Sequence, residues 1–308
     1  MSQLDQINKF LIEVKEIIEP TKQQKKNIKE RLDRARNKLE KEIPYIEGSD
    51  YSSKTYIHGS WKRRTLIRKS IDDRWDVDIL AVLGACVPAN HYSSTDESLR
   101  SPVSALQAIK KNLDNHYYQN RIRQDRPCIT VEYQSDNFDL EIMPVFYGDP
   151  SAYRYDEIVV VVPNQDLTDW IRHFPFKFDG ILTFYNQQFN NLLVPLIKLI
   201  KHWNNQNGKY LSGYHIELLT IYFFYNQELG NATLFDCIKF WFKMALLWIQ
   251  KVETRPQYED LSDPNESKFD YIYYGEDNIR SKLLDSINCV LNDLENDGTS
   301  ITKYFPKI

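Results

Sequence analysis

The hydrophobic pattern of the chain changes twice along its length, and this contrast limits the folds that it can adopt. Between about Lys54 and Val162, apolar residues form short runs typical of β-strands. Before and after this stretch, they recur with the three-to-four-residue spacing of amphipathic helices. A strand-rich region between helical regions predicts an α/β lobe followed by a helical C-terminal lobe.

The predicted elements divide the chain into three segments. Long helices, interrupted at Pro20, are predicted in the N-terminal segment, residues 1–50. A sheet-containing lobe is expected over residues 51–167 and a helical lobe over residues 168–308. The strands are predicted at 77–83, 129–133, 138–146 and 158–162, and the helices after Pro44 at 103–118, 189–204, 213–227, 234–252 and 278–295.

Composition excludes several classes of protein. The chain is 42% hydrophobic and 27% charged, which is ordinary for a globular protein, and its net charge of −4 argues against a dedicated nucleic-acid binder. The first residues lack the order of a signal peptide, and Lys239 and Lys243 interrupt the one long apolar stretch. The four cysteines are far apart, which disfavours a zinc site or a disulfide framework. We therefore expect a cytoplasmic protein without a membrane segment.

A Gly-Ser pair, Gly59-Ser60, is the first candidate for a binding site. It is followed by three basic residues, Lys62, Arg63 and Arg64. Glycine lets a phosphate approach the backbone closely, and amides at the start of a helix attract anions. The pair therefore predicts a turn that binds a triphosphate.

Two acids, Asp76 and Asp78, follow the Gly-Ser pair in the pattern Asp-x-Asp. On a strand, residues at i and i+2 project from the same face, while Val77 and Ile79 point to the other face. Two carboxylates so placed repel one another unless they bind a cation, and Mg²⁺ is commonly held by one or two carboxylates and substrate phosphates. On its own, an Asp-x-Asp pair is more often a surface feature.

A third acid occurs in the run from Asn137 to Pro144. Alternation places Asp139, Glu141 and Met143 on one face of a strand, so either carboxylate is a candidate for the metal site. The structural alternative is that both acids form the solvent-exposed face of a half-buried strand.

These motifs, in this order, resemble the polymerase-β-like nucleotidyltransferase superfamily. The resemblance implies an α+β fold, with a mixed sheet and helices in the catalytic lobe, a helical C-terminal lobe, and an N-terminal helical spine that bridges both lobes. Within this superfamily, the chain is similar to bacterial cyclic-oligonucleotide synthases (CD-NTases), which are related to cyclic GMP-AMP synthase and oligoadenylate synthase. The family pattern of a hydrophobic residue, an acid, two residues and proline implies that Glu141 is the third metal ligand. This sequence has Glu where the family usually has Asp, and Asp139 is the substitute candidate.

The second half carries the other part of the resemblance. The segment from Leu196 to Asn204 resembles the family's Lys-x-Trp helix, and the Ser-x-Tyr-His segment starts at Ser212. The resemblance implies that Lys201, Ser212 and Gly213 hold the triphosphate and that Tyr214 stacks on a base. For three neighbours we expect structural roles, with Lys198 solvent-exposed and two aromatic residues packed in the core: His215 and Trp203. The Asp263-Pro264 pair resembles the family's turn before the last helix.

The activity implied by the resemblance is template-independent synthesis of a cyclic di- or trinucleotide second messenger from nucleoside triphosphates, with release of pyrophosphate. Two Mg²⁺ ions are the implied cofactors, with Mn²⁺ as a substitute, and ATP is expected among the substrates. The resemblance also implies a role in anti-phage signalling with regulatory protein partners. The zinc insertion of the animal DNA sensor is absent from the sequence.

Two other functions fit the same motifs. An RNA-terminal nucleotidyltransferase of the poly(A) or CCA-adding type would share the metal site but needs a basic groove for RNA. A catalytically silent nucleotide-binding protein would be expected to have lost its carboxylates, and the Glu at position 141 is the one feature that points in that direction.

Overall fold

The computed structural model describes residues 2–42, 54–68, 74–85, 101–114, 121–134, 137–147, 159–225, 227–228, 230–251 and 277–306. The Asp263-Pro264 turn lies outside these residues. The helices are α1 (Gln3–Ile18), α2 (Lys22–Glu42), α3 (Gly59–Lys62), α4 (Pro102–Asp114), α5 (Pro175–Gln188), α6 (Leu193–Gln206), α7 (Gly213–Phe224), α8 (Leu234–Lys251), α9 (Asp277–Asn296) and α10 (Ile301–Tyr304). The strands are β1 (Thr55–His58), β2 (Trp75–Ala85), β3 (Ile122–Asp125), β4 (Cys128–Tyr133), β5 (Phe138–Tyr147), β6 (Val160–Pro163) and β7 (Trp170–His173).

The strands form one mixed sheet in the order β1-β2-β5-β4-β3, and β6 and β7 extend it from the end of β5. The central pair, β2 and β5, is parallel, and β1 and β4 flank it in antiparallel orientation. Residues on one face of the central strands, among them Val77, Ile79 and Leu140, are completely buried. The α+β fold with a mixed sheet and C-terminal helices is confirmed.

The chain forms two compact units. The sheet unit comprises residues 21–63 and 72–180, and the helical unit comprises residues 1–20, 64–71 and 181–308. Helix α1 therefore belongs to the helical unit, whereas α2 belongs to the sheet unit. The bounds of these two units differ from those of the three segments expected from the sequence. The division into three segments stays a prediction.

The core of the helical unit is centred on α6. This helix packs against α1, α7 and α8, and Trp203 is fully buried in edge-on contact with Trp241 and Phe242. Lys198 is buried as well, and its ammonium group lies 2.7 Å from the Glu19 carboxylate. The expectation that Lys198 is solvent-exposed was wrong, because an ion pair with α1 compensates its charge.

Some element boundaries also differ from the prediction. The helix expected from residue 189 begins at Leu193, because Asn190 and Asn191 adopt left-handed backbone conformations with φ of 51° and 62°. Asparagine tolerates this conformation better than most residues, and here the two residues separate α5 from α6. Strands β1, β3 and β7 and helix α5 were not predicted. Among the described residues, no helix is long and apolar enough to cross a membrane.

Candidate active site

The pairing of β2 with β5 brings four carboxylates onto one face of the sheet. Asp76 lies opposite Asp139, and Asp78 lies opposite Glu141. Paired residues on neighbouring strands project to the same side of a sheet, and so do residues two apart on one strand. The structure therefore brings the predicted acids of two separate motifs together.

The acids lie at the amino ends of the two strands. Further along the same face, Leu80 is paired with Met143. Leu80 belongs to an apolar cluster that includes Phe176, and Met143 packs against this cluster. The acid-bearing positions Asp76, Asp78 and Glu141 retain partial exposure, in contrast to the apolar positions between them. The face is thus polar at the end that carries the acids and apolar further along.

Glu141 is electrostatically coupled to both aspartates. Burial raises the pKa of Glu141 to about 7, and the negative charges of Asp78 and Asp76 act in the same direction. A carboxyl group that is difficult to ionise beside two others is the expected state of a cation site without its cation.

Asp139, the substitute candidate, has a different environment. Its carboxylate accepts a hydrogen bond of 2.5 Å from the Arg74 Nε atom and lies 3.5 Å from Arg123 Nη2. Burial raises the pKa of Asp139, and Arg74 opposes this effect. Because two guanidinium groups already compensate its charge, Asp139 is less suited than Glu141 to hold a metal ion.

Gly59 lies directly against the acid cluster. Its φ of 70° is in the left-handed region, and a Cβ atom at this position would lie 1.7 Å from the Asp78 Oδ2 atom. Only glycine satisfies both conditions without a rearrangement. The predicted phosphate-binding turn and the first predicted metal ligands are therefore adjacent in the sheet unit, with Ser60 following on α3.

Arg63, one of the basic residues after the turn, is not directed at solvent. Its guanidinium group is buried, lies 3.2 Å from Asp179 Oδ1 and stacks over the Phe178 ring at 5.1 Å. Nearby, His58 and His173 are in edge-on ring contact. Burial lowers the pKa of both histidines, to about 4 for His173, and the charge of Arg63 acts in the same direction. The arginine next to the turn is therefore paired with an acid, and the two histidines are neutral.

The fit of a divalent cation rests on the chemistry of the donors. Asp76, Asp78 and Glu141 supply the carboxylate oxygens that Mg²⁺ prefers, and they share one accessible face. As their side chains are placed, no three His, Cys, Asp or Glu groups within the described ranges are close enough to ligate one ion. Ligation of one ion by all three carboxylates would thus require side-chain rotation, for which Glu141 has one more rotatable bond than Asp.

The residues predicted to bind nucleotide in the second half lie at the start of α7. Ser212 caps this helix by accepting a hydrogen bond of 3.1 Å from the His215 amide, and Gly213 and Tyr214 form its first turn. Lys201, on α6, lies beneath Gly213 and donates hydrogen bonds to Glu217 and Thr65. A direct contact of Lys201 with a triphosphate therefore stays a prediction.

Comparison with known protein families identifies the chain. Residues 1–171 match the SMODS family, the Second Messenger Oligonucleotide or Dinucleotide Synthetase domain. The chain belongs to this family. The match includes the Gly-Ser turn and both acid motifs, so the resemblance to bacterial CD-NTases is confirmed.

Individual members of the family are distant in sequence. A "Probable cyclic nucleotide synthase" of Bacillus cereus is 24% identical over 203 residues, which cover 59% of this chain and 59% of the relative. A "Cyclic AMP-AMP-AMP synthase" of Acinetobacter is 26% identical over 157 residues, 50% of this chain and 40% of the relative. The alignments thus span less than two thirds of either relative.

The fold is similar to that of solved CD-NTases. The Bradyrhizobium diazoefficiens CD-NTase CdnG, solved in complex with GTP, has a TM-score of 0.68 at 14% identity and covers 98% of this chain and 96% of its own. This likeness confirms the polymerase-β-like fold over nearly the whole chain.

Several residues around the site were not singled out from the sequence. Arg74 and Arg123 compensate Asp139, and Thr65 and Glu217 bind Lys201. Arg74 stands two residues before Asp76, but sequence spacing does not show which carboxylate it reaches. Glu217 is the acid that ends the Ser-x-Tyr-His-hydrophobic-Glu segment, and its place in that segment was the signal available in the sequence.

Gly59→Ala tests the close contact with Asp78. We expect this change to lower the free energy of unfolding by at least about 2 kcal/mol, because it adds both backbone strain and a steric clash. Gly180→Ala is the matched control, since Gly180 lies in α5 with no atom within 4 Å of an added Cβ. The free energy of unfolding of this control should rise by up to about 1 kcal/mol. Urea unfolding measures both, and similar effects of the two changes would contradict the proposed contact.

Glu141→Gln tests the charge cluster through pH. The pKa of Glu141 is about 7 in the folded protein against an ordinary value of 4.5, so between these values the folded state holds the proton more tightly than the unfolded chain. The stability of the metal-free wild type should therefore fall, relative to Glu141→Gln, as pH rises through this window. Thermal melting in EDTA at a series of pH values measures the difference. A difference that does not change with pH would show that the pKa of Glu141 is not raised in the folded protein.

Proposed function

We propose that this protein is a template-independent nucleotidyltransferase that makes a cyclic di- or trinucleotide second messenger from nucleoside triphosphates and releases pyrophosphate. The observation that carries the proposal is the in-register pairing of Asp78 with Glu141 beside the Gly59 turn. Membership of the SMODS family supports it, as do the names of the two curated relatives. A cytoplasmic location and a role in anti-phage signalling are part of the proposal.

The acids supply the catalytic groups. Enzymes of this family generally use divalent metals, and we assign Asp76, Asp78 and Glu141 as the ligands of two Mg²⁺ ions, with Mn²⁺ as a substitute. Bound metal would lower the pKa of the attacking ribose hydroxyl and neutralise the departing phosphates. The three carboxylates would hold these ions at the polar end of the sheet face, whereas the neighbouring Asp139 is paired with Arg74 and Arg123.

Gly59 and Ser60 provide the contact with phosphate. The absence of a side chain at Gly59 leaves room for Asp78, and by the same means lets a phosphate oxygen approach the backbone amides of α3. The Ser60 hydroxyl adds a further donor. A triphosphate bound at this turn would have its phosphates next to the carboxylate cluster.

The start of α7 provides the second group of nucleotide contacts. Ser212 and Gly213 are exposed at the helix N-terminus, where amides favour anions, and Tyr214 is half-buried beside them. We assign the Tyr214 ring to base stacking. The regulatory protein partner implied by the resemblance remains a prediction.

An RNA-terminal nucleotidyltransferase is the second candidate function, since it would use the same carboxylates. The two are separated by incubating the purified protein with the four ribonucleoside triphosphates and Mg²⁺ or Mn²⁺, with and without a short RNA primer, followed by phosphatase treatment and mass spectrometry. A phosphatase-resistant cyclic product without primer supports the proposal. Extension of the primer alone supports the second function, and no product under any condition supports a catalytically silent protein.

Asp76→Asn and Asp78→Asn test the metal assignment. Each should lower the rate of product formation by at least about 100-fold, because each removes a ligand charge, while the melting temperature of the metal-free protein stays the same or rises as repulsion is relieved. Asp139→Asn is the control. It should retain more activity but melt at a lower temperature, because it removes the anion that Arg74 and Arg123 share. Glu141→Gln should lower activity more than Asp139→Asn does. If Asp139→Asn has the larger effect, Asp139 and not Glu141 is the third ligand.

Tyr214→Ala tests base stacking. Loss of a stacking contact costs about 1–3 kcal/mol, so nucleotide affinity should fall roughly 5- to 150-fold, whereas Tyr214→Phe should bind almost as well as the wild type. Tyr222→Ala is the matched control, because Tyr222 lies on the same helix and is 51% exposed. Isothermal titration calorimetry with ATP and with GTP measures affinity. An equal loss in both alanine variants would exclude a specific role for Tyr214.

A further inference from the structure

Thr130 lies beside Glu141 on the face of the sheet that carries the acids. In the antiparallel ladders it is paired with Glu141 of β5 on one side and with Arg123 of β3 on the other. Residues directly opposite each other on antiparallel strands have Cβ atoms about 4.5–5.5 Å apart, which is close enough for a threonine hydroxyl to reach a glutamate carboxylate. Thr130 is therefore the β4 residue that directly neighbours the candidate third metal ligand.

The Thr130 hydroxyl group is buried without a hydrogen-bond partner. Thr130 is 0% exposed, and its Oγ1 atom makes no hydrogen bond within the part of the chain that the structure describes. Most buried hydroxyl groups in proteins have a partner, because an unpaired one has lost its hydrogen bonds with water and gained none. The unpaired hydroxyl next to Glu141 thus indicates a hydrogen bond that forms in another state of the site.

The neighbour of Thr130 on the other strand offers no acceptor. An arginine has only donors, so Arg123 cannot receive the proton of the Thr130 hydroxyl group. Its three guanidinium nitrogen atoms also contact three different carboxylates already, those of Asp125, Glu132 and Asp139. On the β5 side, the Glu141 carboxylate supplies the complementary acceptor.

The length of the Glu141 side chain makes its orientation important. A glutamate has one more rotatable bond than an aspartate, so more of its rotamers direct the carboxylate away from Asp78. As the side chains are placed, the acids of the described residues do not converge on one ion. A threonine side chain is stiff because it is branched at Cβ, and a hydrogen bond from a stiff neighbour restricts the rotamers of the glutamate. Partners of this kind orient metal ligands in many proteins.

We propose that Thr130 is a positioning residue for the third metal ligand: its hydroxyl group donates a hydrogen bond to one Glu141 carboxylate oxygen and leaves the other oxygen for the cation. Thr130 therefore acts through Glu141 and does not contact the cation or the nucleotide. This inference rests on the proposed function, in which Glu141 is a metal ligand.

Thr130→Val tests the hydroxyl group, because valine has nearly the same shape and no hydroxyl. The dissociation constant for Mn²⁺ should rise roughly tenfold. The melting temperature of the metal-free protein should stay the same or rise, because the change removes a buried polar group that has no partner. Electron paramagnetic resonance of unbound Mn²⁺, with the metal alone, measures affinity, and thermal melting in EDTA measures stability. An unchanged dissociation constant overturns the inference, and so does a lower melting temperature, which would mean that the hydroxyl group supports the metal-free fold.

Thr130→Ser is the conservative variant. It keeps the hydroxyl group and removes a buried methyl group, so it should melt at a lower temperature than the wild type. Its dissociation constant for Mn²⁺ should nevertheless remain within about threefold of the wild-type value. The two variants thus rank in opposite order in stability and in metal affinity. A tenfold loss of affinity in Thr130→Ser as well would assign the effect to packing and contradict the inference.

Thr55→Val is the matched control in the same sheet. Thr55 is also 0% exposed, but it is paired with Ala81, on the face opposite the acids. Its hydroxyl group already has partners, Arg36 and Glu40. The change should therefore lower the melting temperature and leave the affinity for Mn²⁺ unchanged. A tenfold loss of affinity in this control would mean that any buried hydroxyl of the sheet affects metal binding, and the inference would fail.

A double variant shows whether Thr130 acts through Glu141. Glu141→Gln removes the carboxylate that Thr130 is proposed to orient, while Asp76 and Asp78 remain. Adding Thr130→Val to Glu141→Gln should therefore change the dissociation constant for Mn²⁺ by less than about twofold. A further tenfold loss in the double variant would show that Thr130 acts on the site by another route, and it would overturn the inference.

Failure of the proposed function is distinguishable from failure of this inference, because metal affinity is measured without product formation. If the wild type makes no product but binds Mn²⁺, and Thr130→Val binds it tenfold more weakly, the proposed function is wrong and the inference stands. If the wild type makes the product and Thr130→Val binds Mn²⁺ as well as the wild type does, only the inference fails. Absence of Mn²⁺ binding to the wild type overturns both the metal assignment and the inference.

Discussion

The parallel pairing of β2 with β5 is the constraint on which the candidate site depends. The two strands lie at the centre of the sheet, and their register is set by apolar residues on the face opposite the acids. A shift by one residue would turn every side chain of one strand to the other face, burying the acids and exposing the core. The apolar core thus fixes the positions of the acids, although none of the acids contributes to it.

The repulsion between these acids is offset unequally across the face. Asp139 is compensated by Arg74 and Arg123, whereas Glu141 remains beside Asp78 and Asp76 with its pKa raised. Negative charge is therefore concentrated around Glu141, on which the charges of Asp78 and Asp76 act. A cation that binds beside Glu141 is attracted by carboxylates that the fold already holds together. The unfavourable free energy of their repulsion therefore arises during folding and not during cation binding.

Much of this arrangement could be predicted from the sequence, because it depends on local alternation. The alternation of side chains along a strand predicted which residues of β2 and β5 share a face. The spacing of apolar residues predicted the long helices. The choice between Asp139 and Glu141 could not be made in this way, since it depends on which carboxylate Arg74 reaches. The same limit explains Lys198, whose burial depends on Glu19, a residue far away in sequence. Helix α5 was missed because its apolar residues, such as Phe176, Phe178 and Leu182, do not lie on one regular stripe.

The assignment of α1 to the helical unit has a consequence for how the chain folds during synthesis. Leu11, Val14 and Ile18 are completely buried in a unit whose other helices come from residues 181–308, and α1 packs on α6 and α8. Helix α1 is therefore synthesised before its packing partners and lacks them until α6 and α8 have been made. A short helix is marginal in water without tertiary contacts, so α1 gains its stability late. All residues of the sheet unit have been synthesised by residue 180. This unit is therefore able to fold before α1 packs against the later helices of the helical unit.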